Sequence, residues 1–262
     1  MNTERPTALV TGASSGIGLE FARRLAASGS DLVLVARGEE HLRGVAAELE
    51  SEHGVACEVL AADLGEQLAL AAVEARLADP GRPVAMLVNS AGIGSYADFL
   101  DASVETADAM VRLNVLAVVR LSHAALGPMV ARGSGAVVNI SSTAGAQPMP
   151  HNAMYSASKT FVTSFTQSIA EEVASTGVRV MALLPGYTHT DFHERAGVDP
   201  GGVPSLMWMS AADVVAAAFN DLERGRVVCV PGMVNKLIAG AAGTMPDVLM
   251  RKVAARQAGN FD

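Results

Sequence analysis

Short apolar runs alternate with longer amphipathic segments along almost the whole chain. A short run of aliphatic residues predicts a buried strand, whereas apolar residues that recur every three or four positions predict a helix. The predicted strands cover residues 7–11, 31–37, 55–60, 84–88, 136–140, 178–184 and 226–230, and the predicted helices after the first turn cover about 39–52, 66–77, 104–130, 153–175 and 211–224. This alternation predicts a Rossmann-type, doubly wound, mainly parallel β-sheet with helices on both faces, in a single α/β domain over residues 1–262.

A glycine-rich turn separates the first predicted strand from the first helical pattern. Glycine lets the backbone turn sharply and lets a pyrophosphate approach the NH groups at the positive end of a helix. The spacing, Gly-x-x-x-Gly-x-Gly, differs from the common dinucleotide fingerprint, and such a turn can also be a simple tight connection. The residues that we expect to contact a cofactor here are Gly12, Ser14, Ser15, Gly16, Ile17 and Gly18.

The end of the second predicted strand discriminates between the two nicotinamide cofactors. An NAD site places an acidic side chain there to hold the ribose hydroxyls. This chain has Ala36 followed by Arg37, so no carboxylate repels a 2′-phosphate and a guanidinium can pair with one. We therefore predict NADP(H), with Ser14 and Ser15 as additional donors and NAD(H) as the alternative cofactor. A solvated loop charge is the alternative role for Arg37.

Further polar residues follow later strands. Asp63 comes after the third predicted strand, and Thr188 and Thr190 lie in the turn after the sixth. Ligands bind beyond the carboxyl ends of the strands in open α/β sheets. We expect these side chains to face the same crevice as the glycine turn.

Tyr155 and Lys159 are four positions apart in a predicted helix, so both side chains emerge on one face. A cation beside a phenol favours its ionised form and moves its pKa from about 10 toward neutrality, which makes a usable proton donor and acceptor. Ser142 follows the strand at 136–140, so a carbonyl oxygen could be held between Ser142 and Tyr155. Taken alone, such a pair is usually a half-buried aromatic residue beside a lysine with an exposed ammonium.

Composition and charge narrow the function classes. The net charge is −8 and the isoelectric point is near 5.2, so we expect no nucleic-acid partner, which usually needs a basic face. No uncharged apolar run is long enough for a bilayer, and the first residues lack the pattern of a signal peptide. Cys57 and Cys229 are predicted to be reduced core thiols. Together these observations predict a cytoplasmic protein without a transmembrane segment.

Two late segments differ in composition from the rest of the chain. The loop at about 188–212 is unusually apolar, which is typical of segments that cover ligands and also of a satellite core. The tail at about 233–262 is weakly amphipathic, and a solvated helix face is favoured there over a membrane contact. His189 and His193 lie four apart, but no third ligand has a recognisable spacing, so we predict no metal site.

These separated motifs resemble those of the classical short-chain dehydrogenase/reductase family over nearly the whole chain. The resemblance adds Leu64, beside Asp63, as a contact of the adenine. It adds the fourth-strand motif at Asn89, Ala91 and Gly92 to the cofactor site. It also implies that the nicotinamide contacts Pro185, Gly186, Thr188 and Thr190. It implies that Asn114, Ser142, Tyr155 and Lys159 are catalytic, with Lys159 also holding the nicotinamide ribose. Ser90 is a departure, because the family usually has a second asparagine there. The resemblance also implies a homodimer or homotetramer, built from the helices that start near residues 104 and 153.

Residues and resemblance together predict an NADP(H)-dependent oxidoreductase that transfers a hydride between nicotinamide and a carbonyl or secondary alcohol. Tyr155 would act as general acid and base, Ser142 would bind the same oxygen, and Asn114 would position a water that returns the proton through Lys159. The alternatives are an NAD-linked alcohol dehydrogenase and a non-catalytic regulator that senses NADP(H). An apolar pocket for a small hydrophobic substrate (3-oxoacyl, steroid-like or another ketone or aldehyde) is suggested by Met149, Met154, Phe192, Met207, Trp208 and Met209.

Overall fold

The computed structural model describes residues 5–197 and 203–242, and within them seven strands form one parallel sheet. The strands are β1 (Thr7–Thr11), β2 (Asp31–Ala36), β3 (Cys57–Ala61), β4 (Val84–Asn89), β5 (Gly135–Ile140), β6 (Val178–Leu183) and β7 (Val228–Cys229). Their order is β3-β2-β1-β4-β5-β6-β7, and every neighbouring pair is parallel. The winding direction reverses between β1 and β4, which confirms the doubly wound sheet and places a ligand crevice beyond these two strand ends.

Helices cover both faces of this sheet. They are α1 (Gly16–Ala27), α2 (Glu39–His53), α3 (Gln67–Ala78), α4 (Val104–Val111), α5 (Ala117–Arg132), α6 (Ala153–Glu172), α7 (Phe192–Arg195), α8 (Ala211–Glu223) and α9 (Met233–Ala242). Side chains of a strand alternate between faces, so Val10 packs with α1, α2 and α8, while Leu9 packs with α3 and α5. The central strands are therefore mainly apolar on both sides, which explains the apolar runs in the sequence.

Most predicted boundaries agree with the structure to within two or three residues. The last strand is shorter than predicted, because the predicted strand at 226–230 is reduced to β7, which pairs only with Ala182 and Leu183 at the edge of the sheet. The predicted helix at 153–175 ends three residues early, at Glu172. An apolar run alone cannot show where hydrogen-bonded pairing stops, since pairing depends on the neighbouring strand.

The predicted helix at 104–130 is α4 and α5 joined by a π-helical turn, Arg112–Leu116. Length and composition alone would allow the 29 residues from Val104 to Arg132 to cross a membrane, a possibility that the sequence prediction did not include. The helix instead packs into the core through Leu121, Ala125 and Met129, and buried helices of this kind pass the same test.

The predicted substrate loop at 188–212 contains short structured pieces. Thr188 and Met209 form an isolated parallel bridge, so the two ends of the loop are joined. Between them lie α7 and a 3₁₀ turn, Ser205–Met207. The predicted tail begins with α9, whereas residues 198–202 of the loop and residues 243–262 of the tail lie outside the described part of the chain.

Candidate active site

A cleft with a cavity volume of about 690 Å³ opens at the carboxyl ends of the strands. Its size lies in the range of small-molecule and cofactor sites. Of the residues predicted for the site, all line this cleft except Gly18, Asn89 and Asn114. The winding of the sheet thus brings together segments that are far apart in sequence.

The glycine turn forms the floor of one end of the cleft. Gly12 has φ +65°, and a Cβ there would lie 2.9 Å from the backbone nitrogen of Ala91. Gly18 does not line the cleft, but a Cβ on it would lie 2.3 Å from the carbonyl oxygen of Gly12. Gly12 therefore allows the turns after β1 and β4 to touch, and Gly18 allows α1 to pack against its own turn.

The N-terminus of α1 points into this turn. Its N-cap residue, Ser15, has extended backbone and makes no side-chain capping bond. The first NH groups of a helix have no partners within the helix and carry partial positive charge, so an uncapped terminus in a cleft suits an anion. The glycine cradle and this terminus fit the diphosphate of a dinucleotide cofactor.

Arg37 is exposed at the end of β2 and lines the cleft together with Ser14. Among the described residues, no carboxylate lies within ion-pair distance of its guanidinium. Asp63 and Leu64 also line the cleft, where the Asp63 carboxylate accepts a hydrogen bond from the backbone NH of Gly65 at 2.9 Å. Arg37 is thus a cation available to a 2′-phosphate.

Thr11, which the sequence analysis did not assign to the site, joins the two turns at the reversal of the sheet. Its hydroxyl oxygen accepts hydrogen bonds from the backbone NH groups of Ser90 and Ala91, both at 3.0 Å. Thr11 is buried at the last position of β1, and a hydroxyl at the tip of an apolar strand was the signal available in the sequence. It holds the Ser90–Gly92 backbone against the glycine turn.

Asn89 does not have the predicted place in the cofactor site. Its side chain is buried and donates to Asn139 at 2.9 Å and to Ser122 at 3.2 Å, beneath the cleft. Asn139 in turn donates to Thr166 on α6 at 3.0 Å. The side chain therefore ties β4 to β5 and α6, because its strand position points inward, whereas Ser90, Ala91 and Gly92 line the cleft.

Tyr155, Ser142 and Lys159 meet at the centre of the cleft. The phenol of Tyr155 and the hydroxyl of Ser142 both face the cleft, near enough for Ser142 to lower the pKa of the phenol. Lys159 Nζ lies 5.6 Å from the centre of the Tyr155 ring and donates to the carbonyl of Ile140 at 2.8 Å. The helical spacing thus places both side chains on the face of α6 that closes the cleft.

The pKa values of Tyr155 and Lys159 differ from the sequence prediction. Burial raises the pKa of Tyr155 to about 12, although its hydrogen bond with Ser142 lowers the pKa in part. Burial also lowers the pKa of the Lys159 ammonium to about 8. The predicted acidification of the phenol by Lys159 is therefore not seen, because burial disfavours the charged form of each group and Lys159 Nζ donates to the carbonyl of Ile140.

Ser141 and Ser142 have different roles in the structure. Ser141 is buried and its hydroxyl donates to the carbonyl of Lys159 at 2.7 Å, so it holds β5 against α6. Ser142 lines the cleft and accepts from the backbone NH of Ala144 at 3.1 Å. The Ser142 hydroxyl is therefore the one that remains available to a ligand, and its role beside a reacting oxygen stays a prediction.

Asn114 lies in the π-helical turn, behind the cleft. Its amide donates to the carbonyl of Ile93 at 2.8 Å and to the hydroxyl of Ser158 at 3.2 Å, and its oxygen accepts from the NH of Ile93 at 3.0 Å. Both amide protons are therefore used by protein groups. The predicted role of Asn114 in positioning a water stays a prediction. Asn114 fixes the loop after β4 beside α6.

The turn after β6 borders the cleft on the opposite side. The hydroxyl of Thr188, which is buried, donates to the carbonyl of Gly186 at 3.0 Å, and Thr190 packs 3.1 Å from the Cβ position of Gly16. Asn235 of α9, not assigned from the sequence, is buried against Gly186 and also lines the cleft. The C-terminal region thus shapes the turn that the sequence placed at the nicotinamide.

The end of the cleft beside Phe192, predicted to hold the substrate, includes several apolar side chains. Met149, Phe192 and Met207 line it as predicted, and the Phe192 ring lies 5.5 Å from that of Tyr155. Met154, Trp208 and Met209 are not among its lining residues. Trp208 stacks on His189 at 4.7 Å, and among the described residues no cluster of three or more His, Cys, Asp or Glu side chains could hold a metal ion.

Comparison with known proteins extends these observations. A family model described as short chain dehydrogenase matches residues 6–200. The chain is 37% identical over 187 residues to the very-long-chain 3-oxoacyl-CoA reductase of Anas platyrhynchos, with 70% of this chain and 60% of that protein covered. It is 38% identical over 187 residues to sulfoacetaldehyde reductase 2 of Chromohalobacter salexigens, with 70% and 73% covered.

Solved structures match over almost the full length. A short-chain dehydrogenase from Sphingobium yanoikuyae in complex with NADPH is 37% identical, with a TM-score of 0.82, and the match covers 98% of this chain and 96% of that chain. The bulky-bulky ketone specific alcohol dehydrogenase from Comamonas testosteroni is 32% identical, with a TM-score of 0.79 and 98% and 94% coverage.

Proposed function

The chain belongs to the short-chain dehydrogenase/reductase family and is an oxidoreductase that acts on CH–OH or C=O groups with a nicotinamide cofactor; we propose that it reduces bulky hydrophobic ketones with NADPH. The observation that carries this proposal is the Tyr155–Ser142–Lys159 cluster, which lies between the cofactor end of the cleft and its apolar end. In our proposal Tyr155 is the general acid.

The bound cofactor supplies the hydride to the carbonyl carbon. As negative charge develops on the carbonyl oxygen, Tyr155 donates its proton and the Ser142 hydroxyl hydrogen-bonds the same oxygen. A pKa of about 12 keeps the phenol protonated at neutral pH, which is the form that a proton donor requires. Lys159, protonated below its pKa of about 8, stabilises the phenolate that remains after the proton has left.

The preference for NADPH rests on the end of β2. Arg37 is exposed, lines the cleft and has no ion-pair partner among the described residues, and no acidic residue occupies this strand end. A guanidinium pairs with a phosphate in a bidentate geometry. An NAD-linked alcohol dehydrogenase is the alternative, and binding titrations with NADPH and NADH distinguish the two.

The substrate class rests on the apolar end of the cleft. Met149 and Met207 are flexible and polarisable, and such side chains accommodate varied apolar shapes. The relatives named above act on substrates as different as a very-long-chain 3-oxoacyl-CoA and sulfoacetaldehyde, so family membership alone does not select a substrate. The apolar side chains of Met149, Phe192 and Met207 favour 3-oxoacyl, steroid-like or other bulky ketones.

The test is a panel of ketones with NADPH, in which cofactor oxidation is followed by absorbance. Pairs of compounds that share a carbonyl but differ in the bulk of the flanking groups separate the chemistry from the size preference. We expect turnover with bulky ketones and weaker turnover with their small or charged counterparts. NADPH binding without oxidation by any ketone would favour the non-catalytic regulator, and a preference for small charged carbonyls would overturn the substrate class.

We also propose that the chain forms a homodimer or homotetramer. Leu116 beside α5 and Phe161 on α6 are 48% and 43% exposed, and Phe161 stacks on Phe165 at 5.9 Å. Exposed apolar groups on long helices are typical of subunit interfaces. Light scattering of the wild type and of Phe161→Glu tests this, and a monomeric wild-type protein would contradict it.

A further inference from the structure

The four-residue helix α7 places one arginine across the mouth of the cleft. Arg195 Nη1 donates to the hydroxyl of Ser15 at 3.3 Å, although the two residues are 180 positions apart. Its Nη2 donates to Asp191 at 2.9 Å in an i,i+4 pair. Both Arg195 and Ser15 line the cleft. The segment after β6 thus reaches back to the glycine turn through the Arg195 guanidinium as well as through the packing of Thr190 on Gly16.

The ion pair with Asp191 does not by itself explain why the Arg195 guanidinium lies in the cleft. Arg195 and Asp191 are 63% and 65% exposed, and a pair of that kind contributes little to stability. Asp191 does, however, orient the guanidinium, because a side chain held at one nitrogen samples fewer conformations. A guanidinium carries five N–H donors, so donors remain after the contacts with Asp191 and Ser15.

The location of Ser15 indicates which ligand those donors fit. Ser15 is the N-cap of α1, its side chain leaves the first NH groups of the helix uncapped, and the glycine turn precedes it. The positive end of a helix and a guanidinium therefore face the same space. Two sources of positive charge on one glycine-lined turn match a diphosphate, whose charge both would share.

We propose that Arg195 is a ligand of the cofactor diphosphate and that this contact holds α7 over the active site. The inference rests on the proposed cofactor. Phe192 lies on the same short helix with its ring 5.5 Å from that of Tyr155, and the position of a Cβ on Gly94 lies 2.9 Å from the Phe192 ring. A cofactor held by Arg195 thereby also fixes the apolar wall next to the general acid.

Arg195 and Arg37 then recognise different parts of the same cofactor. Arg37 stands at the end of β2, where the 2′-phosphate distinguishes NADPH from NADH, whereas Arg195 stands at the glycine turn, where the two cofactors are identical. Removal of Arg195 should therefore weaken both cofactors equally. Removal of Arg37 should weaken only NADPH.

The test is calorimetric titration of Arg195→Met with NADPH, NADH and adenosine 2′-monophosphate, which lacks the diphosphate. We expect affinities for both dinucleotides to fall about tenfold, since a charge-assisted hydrogen bond contributes about this much or more, and the affinity for adenosine 2′-monophosphate to be unchanged. Arg112→Met is the matched control, because Arg112 is 54% exposed, pairs with Asp108 at i,i+4 and does not line the cleft.

A second measurement tests the link to α7 without catalysis. Hydrogen exchange of a peptide that spans residues 188–197 should slow when NADPH saturates the wild type and the control, and should slow less in saturated Arg195→Met. Unchanged dinucleotide affinities in Arg195→Met would overturn the assignment. A loss confined to NADPH and adenosine 2′-monophosphate would overturn it in favour of a 2′-phosphate contact. If the wild type bound neither dinucleotide, the proposed function itself would fail, and this inference with it.

Discussion

The two ends of the cleft are built in different ways. The cofactor end consists of backbone turns at strand ends, where Gly12, Gly18 and the hydroxyl of Thr11 bring two segments into contact. The substrate end consists of side chains such as Met149, Phe192 and Met207, which come from loops and the segment after β6. The shape of the cofactor end is thus set by the backbone conformation. The shape of the substrate end is set by its side chains.

This difference predicts which positions of the cleft tolerate substitution and which do not. A turn that requires glycine has no substitute, because any Cβ meets backbone that cannot move away cheaply. A wall of apolar side chains can be remodelled, because volume-changing substitutions there alter the shape of the pocket and leave the sheet in place. We therefore expect mutations at the two ends to have different signatures.

The largest effect should come from the catalytic cluster where the two ends meet. Tyr155→Phe removes the acidic proton and keeps the ring, so we expect turnover to fall by about 10²- to 10⁴-fold. NADPH affinity and the urea midpoint should remain close to those of the wild type. Steady-state kinetics, with titration of the cofactor as the internal control, measure both, and near-normal turnover would refute the role of the phenol.

At the cofactor end, Gly18→Ala places a Cβ 2.3 Å from the carbonyl oxygen of Gly12. We expect a loss of about 1–3 kcal/mol in the free energy of unfolding, together with weaker NADPH binding, because the glycine turn must shift. Gly44→Ala is the matched control, since Gly44 lies within α2 and a Cβ there has no neighbour within 4 Å. Alanine favours a helix, so the control should be neutral or stabilising by up to about 1 kcal/mol. Equal urea midpoints for the two variants would contradict the packing role of Gly18.

Arg37→Asp tests a side chain that acts at the cofactor end without shaping the backbone. We expect NADPH affinity to fall by roughly tenfold to a hundredfold and NADH affinity to hold or rise, because a carboxylate repels a 2′-phosphate and accepts from ribose hydroxyls. The measurement is the ratio of the two dissociation constants, with Arg112→Asp as the control. An unchanged ratio would leave Arg37 as a solvated charge.

The pH dependence of ketone reduction tests whether catalysis requires the ammonium of the buried Lys159. Burial lowers the pKa of Lys159 from 10.5 to about 8, so its ammonium is present below pH 8 and is lost as the pH rises. We expect kcat/KM to be level between pH 6 and 7.5 and to fall by up to about tenfold per pH unit above 8. Titrations of NADPH over the same pH range separate an effect on catalysis from an effect on cofactor affinity. A level profile up to pH 10 would show that the ammonium is not needed.

The smallest effect is expected at the substrate end. Phe192→Ala removes a ring that packs beside Tyr155, so the pocket widens and the ratio of kcat/KM values should shift several-fold toward larger ketones. Phe99→Ala is the control, because Phe99 is 63% exposed and does not line the cleft. An unchanged ratio would show that the ring does not limit substrate size.

Much of the fold could be predicted because it depends on local sequence patterns. Apolar runs and helical periodicity located the strands, and the four-residue spacing of Tyr155 and Lys159 correctly placed both on one face. The choice of Ser142 over Ser141 also agrees with the structure. Asn89 was assigned to the wrong surroundings, because the direction of its side chain depends on which face of β4 meets α5 and α6.

Short-range spacing and apolar periodicity by themselves determined the α/β class, the order of elements and the residues at most strand ends, since these depend on covalent geometry and on burial of apolar groups. Only the tertiary structure decided the protonation of Tyr155 and Lys159, the inward direction of Asn89 and Asn114, and the contact of Arg195 with Ser15. Desolvation and contacts between distant segments depend on how the elements pack. A local pattern in the chain does not specify which distant segments come into contact.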